Sequence, residues 1–231
     1  MLSGLGSAAA SVSHSRSWDV FTRIVAVACF GFLGAASCAV VMATVSRMAA
    51  SGFDTRMFCT IVVNACIFLQ FLIQSTLVVC RSRALAKTGG VGARAVAMAG
   101  SWLIFAVVLL PIRVDLSTPI YVLAALVSAV GDCLAIVVVL HLGRSYSVMA
   151  EARGLVVDGP YAIVRHPLYL AEQLSLIGAV ITFLSWRVMV LFTVQSCCQY
   201  LRARNEERIL SSTFPAYADY RRRTPMLVPG T

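Results

Sequence analysis

Charge is what this sequence has least of. Of its 231 residues, 13% are Asp, Glu, Lys or Arg and 59% are hydrophobic, where an ordinary soluble domain carries roughly 25% charged residues. That composition excludes a water-soluble core, which could not bury so many apolar runs. Acids are scarcer still, 10 against 19 basic residues, leaving a formal net charge of +9. The excess does not point to nucleic acid. The basic residues sit in short connections between apolar runs and in the tail after Gln199, as the positive-inside rule and contact with anionic headgroups require. Metal-ligand spacing is missing too. Cys29, Cys38, Cys59, Cys66, Cys80, Cys133, Cys197 and Cys198 fall mostly within apolar stretches and read as small apolar residues. The adjacent Cys197-Cys198 pair forms no CxxC motif and implies neither zinc nor redox chemistry. No internal repeat stands out. No cleavable signal peptide is expected, because Met1 to Ser17 is polar and rich in Ser, Ala and Gly, and the apolar run after it is too long for an h-region.

What the sequence has is long apolar runs, at about 20–46, 57–80, 95–112 and 118–142, each far longer than a buried strand. Several are long enough for the roughly 20 helical residues that cross a hydrocarbon slab. A fifth region, about 168–200, is interrupted by Ser185-Trp186-Arg187, an interfacial aromatic and a cation, and reads as a helical hairpin. The expected architecture is all-α, a polytopic transmembrane helical protein of five to six passes with a cytosol-facing C-terminal site. Residues 1–17 form a polar tail, 18–142 the helical scaffold, and 143–231 the hairpin and C-terminal region. The connection from Arg81 to Arg94 holds Arg81, Arg83, Lys87 and Arg94 and no acid, so it is expected on the cytoplasmic side; the balanced Arg113 and Asp115 loop is expected opposite. Counting outward puts both termini and the 143–167 segment in the cytoplasm, in a plasma (inner) membrane or the endoplasmic reticulum. The Gly89-Gly90 and Gly92 cluster reads as loop.

Polar side chains inside the runs have no partner in lipid and should face other helices: Asn64, Gln70, Gln74, Asp132, Glu172, Gln173 and Gln195. For the amides an interhelical hydrogen bond is the simplest role. Asp132 is a different matter, since a carboxylate in a bilayer usually marks a cavity or a cationic partner.

The segment from Gly154 to Tyr169 is more than a linker. Gly159-Pro160 is turn chemistry, Pro167 opens a helix, and His166 before it belongs at an irregular helix entrance. A helix N-terminus also suits a carboxylate ligand. Arg202, Arg204, Glu206 and Glu207 follow the hairpin, then Leu210, Phe214-Pro215, Tyr217, Tyr220 and a basic run ending in Pro225 and Pro229. A hairpin returns its two ends to one membrane face, so the Arg165-His166-Pro167-Leu168-Tyr169 element and the Glu206-Glu207 pair should be neighbours. Carboxylates for an ammonium, rings for an aromatic base and cations for a carboxylate together suit a zwitterionic cofactor; taken alone, the same residues also suit a salt-bridge cluster or a helix-end anchor.

The order Gly-Pro-Tyr, Arg-His-Pro-x-Tyr, an Arg shortly before Glu-Glu-x-x-Leu, Phe-Pro-x-Tyr-x-x-Tyr and a closing Thr-Pro resembles the isoprenylcysteine carboxyl methyltransferase and phospholipid methyltransferase superfamily, over about 143–229. The resemblance implies S-adenosylmethionine as cofactor. It implies that Arg153, Gly154, Leu155 and Val156 hold that cofactor largely through backbone, that Tyr161, His166, Pro167, Leu168 and Tyr169 continue the pocket, and that Glu206, with Glu207 beside it, takes the amino group. Arg202 would face the methyl acceptor. At Arg153 the eukaryotic enzymes often carry His. The acceptor implied is a lipophilic or lipidated molecule, a prenylcysteine-like carboxylate, with a phospholipid amine or small thiol as the alternative. A carboxylate needs no general base; an amine or thiol would make His166 or Glu207 the candidate. A sterol-type reductase would require a nicotinamide cofactor. A membrane carrier using Asp132 and Asn64 would give no reason for the motifs flanking the hairpin.

Overall fold

The computed structural model describes residues 3–87, 91–103 and 116–228, with side chains over 19–87, 92–103 and 116–228. The chain is mainly helical, as its apolar runs require. Helix α1 spans Ser3–Ser51 and α2 Thr55–Cys80; after a two-residue strand β1 (Ala86–Lys87) come α3 (Val91–Trp102) and α4 (Thr118–Leu142). Strand β2 (Glu151–Ala152) and the single turn α5 (Pro160–Ile163) lead to the hairpin, α6 (Pro167–Thr182) and α7 (Trp186–Thr213), and α8 (Tyr217–Arg223) follows. Local chemistry sets the boundaries. The Asp54 side chain accepts from the Met57 N–H at 2.9 Å and caps α2, and Ser185 does the same for α7 through Val188 at 3.3 Å. Gly143, at φ +53°, stops α4.

Among the described residues, three helical stretches are long and apolar enough to cross a membrane: Asp19–Ser51, Thr55–Cys80 and Thr118–Ser145. This is a membrane protein. Its large apolar side chains face outward where lipid would meet them, Phe32 being 74% and Trp186 72% exposed. The hairpin expected at 168–200 is present, broken at 183–185, but α6 has 16 residues, short of the roughly 20 of a full crossing. Of the expected 95–112 run, the part after 103 lies outside the described residues, as do the Arg113 and Asp115 loop, Gly89-Gly90 and Pro229. Gly92 belongs to α3, not to a loop.

Close packing ties the scaffold to the hairpin. Helices α4 and α6 approach so nearly that a Cβ on Gly131 would lie 2.2 Å from the Ser175 nitrogen, and one on Gly178 would lie 2.4 Å from the Ala124 carbonyl oxygen. Small residues in such a seam let backbones meet and exchange polar contacts. Ser128 Oγ accordingly donates to the Ser175 carbonyl at 3.1 Å, and Ser175 Oγ to Asp132 Oδ1 at 2.6 Å. Helix α3 lies against α7, where a Cβ on Gly100 would come 3.2 Å from the Gln199 nitrogen. Phe30 of α1 stacks on Phe71 of α2 with centroids 5.8 Å apart. The hairpin legs are joined by amides: Gln173 donates to Gln195 and Gln199, and Gln199 donates to Glu172 at 2.7 Å. The interhelical role expected of Gln173 and Gln195 holds. Asn64 departs from it, since its amide donates to the Thr60 carbonyl one turn back in its own helix, at 2.9 Å.

The strands pair antiparallel, Ala86 with Ala152 and Lys87 with Glu151. They bind the connection after α2 to the segment that precedes the motif. Beneath them Asp19 receives Arg81 at 3.0 Å and Arg153 at 3.2 Å, joining α1 to both.

Candidate functional site

Local backbone chemistry shapes the motif first. Gly159 holds φ +56°, and a Cβ there would lie 2.4 Å from the His141 ring, so glycine is required both by conformation and by space. Pro160 then opens α5 and Pro167 opens α6, with His166 as the non-helical cap residue at φ −127°. The C-terminal tail returns across this entrance: Arg165 N–H donates to the Pro225 carbonyl at 2.9 Å and His166 N–H to that of Met226 at 3.2 Å. Side chains lock the return. Arg165 Nε donates to Glu207 Oε1 at 2.7 Å and Arg165 Nη1 to the Thr224 carbonyl at 2.6 Å, while Tyr220 Oη donates to the Tyr161 carbonyl at 2.7 Å.

These constraints close a cleft at the two ends of the hairpin. Gly154, Leu155, Val156, Tyr161, His166, Leu168, Tyr169, Arg202 and Glu206 all line it, so most of the residues named from the sequence lie in one place. At its centre Tyr169 Oη donates to Glu206 Oε1 at 2.5 Å, and Arg202 Nε donates to the same oxygen at 3.2 Å. Glu206 Oε2 has no partner among the described residues. The Arg202 guanidinium lies 5.0 Å from the Tyr169 ring centroid, and the His166 ring stacks on that of Tyr169 with centroids 5.3 Å apart. Arg202 Nη1 also donates to Ser101 Oγ at 2.8 Å and Nη2 to the Ser147 carbonyl at 3.2 Å. A guanidinium has five N–H groups, so one remains on each terminal nitrogen.

Three of the named residues stand apart from the cleft lining. Arg153 turns its fully buried side chain to Asp19, Glu151 and the Ser82 carbonyl, so its role is to anchor the segment to α1 and to the connection after α2. Pro167 is buried and shapes the α6 entrance. Glu207 lies on the far side, 2.7 Å from Arg165 and 3.4 Å from His166 Nε2. Burial pushes its carboxyl up, but hydrogen bonding and charge from His166 and Arg165 prevail and hold it at about 2. A carboxylate so held serves as a strut and is a poor proton acceptor.

The sequence reading missed Tyr146, Ser147 and Glu151, which line the cleft, because they belong to no recognisable motif. Burial raises the Tyr161 phenol and pushes that of Tyr220 up to about 12, so both stay neutral rings with a hydroxyl donor.

A second cavity, of ≈ 470 Å³, runs between the helices from this point. Its lining includes Phe30, Ile67, Phe71 and Leu176 with the polar Gln74, Asp132 and Glu172. Tyr146, Leu168 and Arg202 line both spaces.

Residues 122–212 match the isoprenylcysteine carboxyl methyltransferase (ICMT) family. The resemblance drawn from the motifs therefore holds from 143 to 212, and the matched stretch takes in most of α4, the motif segment and the hairpin through the Arg202–Glu207 element. Among curated proteins, 76 residues are 38% identical to the cobalt-zinc-cadmium resistance protein CzcN of Cupriavidus metallidurans, covering 32% of this chain and 35% of that one. The nickel-cobalt-cadmium resistance protein NccN of Alcaligenes xylosoxydans xylosoxydans is 34% identical over 76 residues, 32% of this chain and 36% of its own. The chain thus spans about a third of the length of the curated relatives it matches.

Proposed function

With residues 122–212 matching the ICMT family, we propose that this chain is an integral membrane methyltransferase that moves the methyl group of S-adenosylmethionine to a lipophilic acceptor. The observation that carries the reading is the meeting of a polar, aromatic cleft with a largely apolar cavity between the helices at Arg202, Tyr146 and Leu168. A hydrophilic methyl donor and a lipophilic acceptor need that junction.

The residues present fit such a donor. Glu206, held on one oxygen by Tyr169 and Arg202, keeps Oε2 for an ammonium, and its charge favours a sulfonium in a poorly hydrated site. Tyr161, Tyr217 and Tyr220 offer rings to an aromatic base. When bound, S-adenosylmethionine supplies a methyl group activated on sulfur, which leaves with the C–S electron pair returning to sulfur. The work of the chain is alignment and exclusion of water. Arg202, facing both spaces, offers its remaining N–H groups to an acceptor oxygen, which fits the prenylcysteine-like carboxylate that the resemblance implies. An ionised carboxylate attacks without a base. For an amine or thiol acceptor, a phospholipid amine or small thiol, a proton must leave, and His166, which lines the cleft, is better placed for it than Glu207.

Transfer of labelled methyl from S-adenosylmethionine to a panel of prenylcysteine, phospholipid amine and thiol acceptors tests the reading. Label entering one acceptor class, and lost in Arg202→Ala, is the expected result. Label in none of them, with no binding of S-adenosylhomocysteine, would overturn it.

A further inference from the structure

The cavity between the helices holds two hydrogen-bond acceptors that the protein leaves empty-handed. Asp132 is 4% exposed; its Oδ1 accepts from Ser175 Oγ at 2.6 Å, while Oδ2 has no partner among the described residues. Gln74 is 3% exposed, and its Oε1 likewise has none. Both residues line the same cavity. Leaving a buried polar atom unpaired costs free energy that a partner would recover, and more where no water enters to help. Two such atoms, both of accepting character and on residues of different helices that line one space, are not explained by packing: Ser175 already satisfies the contact that joins α4 to α6.

Their position gives them a meaning. Ser175, which holds Asp132, lies on α6 six residues beyond Tyr169, and at about 1.5 Å per residue the Asp132 group is about 9 Å farther along the helix than the cleft. A molecule that presents its reacting atom at Arg202 would lay its body along this stretch. A plain isoprenyl or alkyl chain would pass the two acceptors and leave both unpaired. A chain bearing a hydroxyl there would pair one of them, and an amine carries donors enough for both, gaining a charge-assisted bond if the Asp132 carboxylate is ionised.

We propose that Asp132 and Gln74 form a subsite for a hydrogen-bond donor, a hydroxyl or an amine, carried on the lipophilic body of the ligand, so that a bare hydrocarbon chain is not the preferred occupant. This rests on the reading of the cavity as the acceptor site, yet it can be tested without turnover. The probes are dodecanol, dodecylamine and dodecyl methyl ether, the last accepting but not donating, added to the detergent-purified full chain while its thermal unfolding is followed. S-adenosylhomocysteine is measured in parallel.

Dodecanol or dodecylamine should bind the protein about tenfold more tightly than the ether, about the worth of one such hydrogen bond. Asp132→Asn should reduce that preference, and so should Gln74→Leu, which serves if the first variant does not fold. Which of the two donors binds better tells a hydroxyl site from a cation site. Equal binding of all three probes, or a preference retained in the variants, would overturn the subsite. Binding of S-adenosylhomocysteine alongside such a result would leave the methyltransferase reading standing. Donor-selective binding without S-adenosylhomocysteine would keep the subsite and remove the methyltransferase.

Discussion

Tyr169 and Glu206 stand on opposite legs of the hairpin and meet through one hydrogen bond of 2.5 Å. That bond, at the centre of the cleft, fixes one carboxylate oxygen and leaves the other for a ligand. Removing the phenolic hydroxyl in Tyr169→Phe should leave the fold intact and weaken S-adenosylhomocysteine binding by about tenfold, the loss expected when a hydrogen bond to a charged group no longer orients it. Calorimetric titration measures it. Unchanged affinity would mean that Glu206 needs no such support or takes no part in binding.

Arg202 and Glu206 are one helical turn apart but face different tasks. Glu206→Ala is expected to abolish most cofactor binding. Arg202→Ala should keep measurable binding and lower turnover by about a hundredfold or more, as for other groups that stabilise the reacting array. Single-turnover transfer with saturating S-adenosylmethionine separates the two effects. If both variants bind and turn over normally, the site lies elsewhere.

Glu207 makes the fold sensitive to acid. Its carboxyl is lowered from 4.5 to about 2 in the folded chain, so its stabilising contribution is fully present above about 4.5 and is lost as pH falls through about 2. The melting temperature of the wild type in detergent should drop across that window, and Glu207→Gln, already lacking the ion pair with Arg165, should show a shallower slope. Parallel slopes for the two proteins would refute the pairing.

Gly131 and Gly178 test the seam between α4 and α6. With a Cβ at Gly131 placed 2.2 Å from backbone, Gly131→Ala should cost about 1–3 kcal/mol through overpacking. Gly31→Ala, where nothing lies within 4 Å, should be close to neutral. Thermal unfolding of the two variants gives the comparison; equal melting temperatures would mean that the helices do not meet at Gly131.

Much of this was legible locally. The breaks at Gly159-Pro160, Pro167 and Ser185 are backbone chemistry, and they fall at α5, α6 and α7 as expected. The convergence of the hairpin ends followed from topology alone. What could not be read were contacts between segments distant in sequence. Nothing local says that Arg153 spends its side chain on Asp19, 134 positions away, or that Gly131 faces Ser175. Asn64 looked like Gln173 as an amide in an apolar run. Its shorter side chain instead reaches back to the Thr60 carbonyl of its own helix. Tyr146 and Ser147 carry no motif, and their segment is held by contacts distant in sequence, the Ser82 N–H donating to the Arg144 carbonyl at 2.9 Å and the pairing of β1 with β2.

Binding of S-adenosylhomocysteine to the purified chain and to Glu206→Ala, followed by thermal unfolding with a nicotinamide dinucleotide as comparison, tests the central claim most directly. The account predicts stabilisation of the wild type by S-adenosylhomocysteine, little in Glu206→Ala, and none by the dinucleotide. No stabilisation of the wild type at saturating S-adenosylhomocysteine, or equal stabilisation by the dinucleotide, would contradict it.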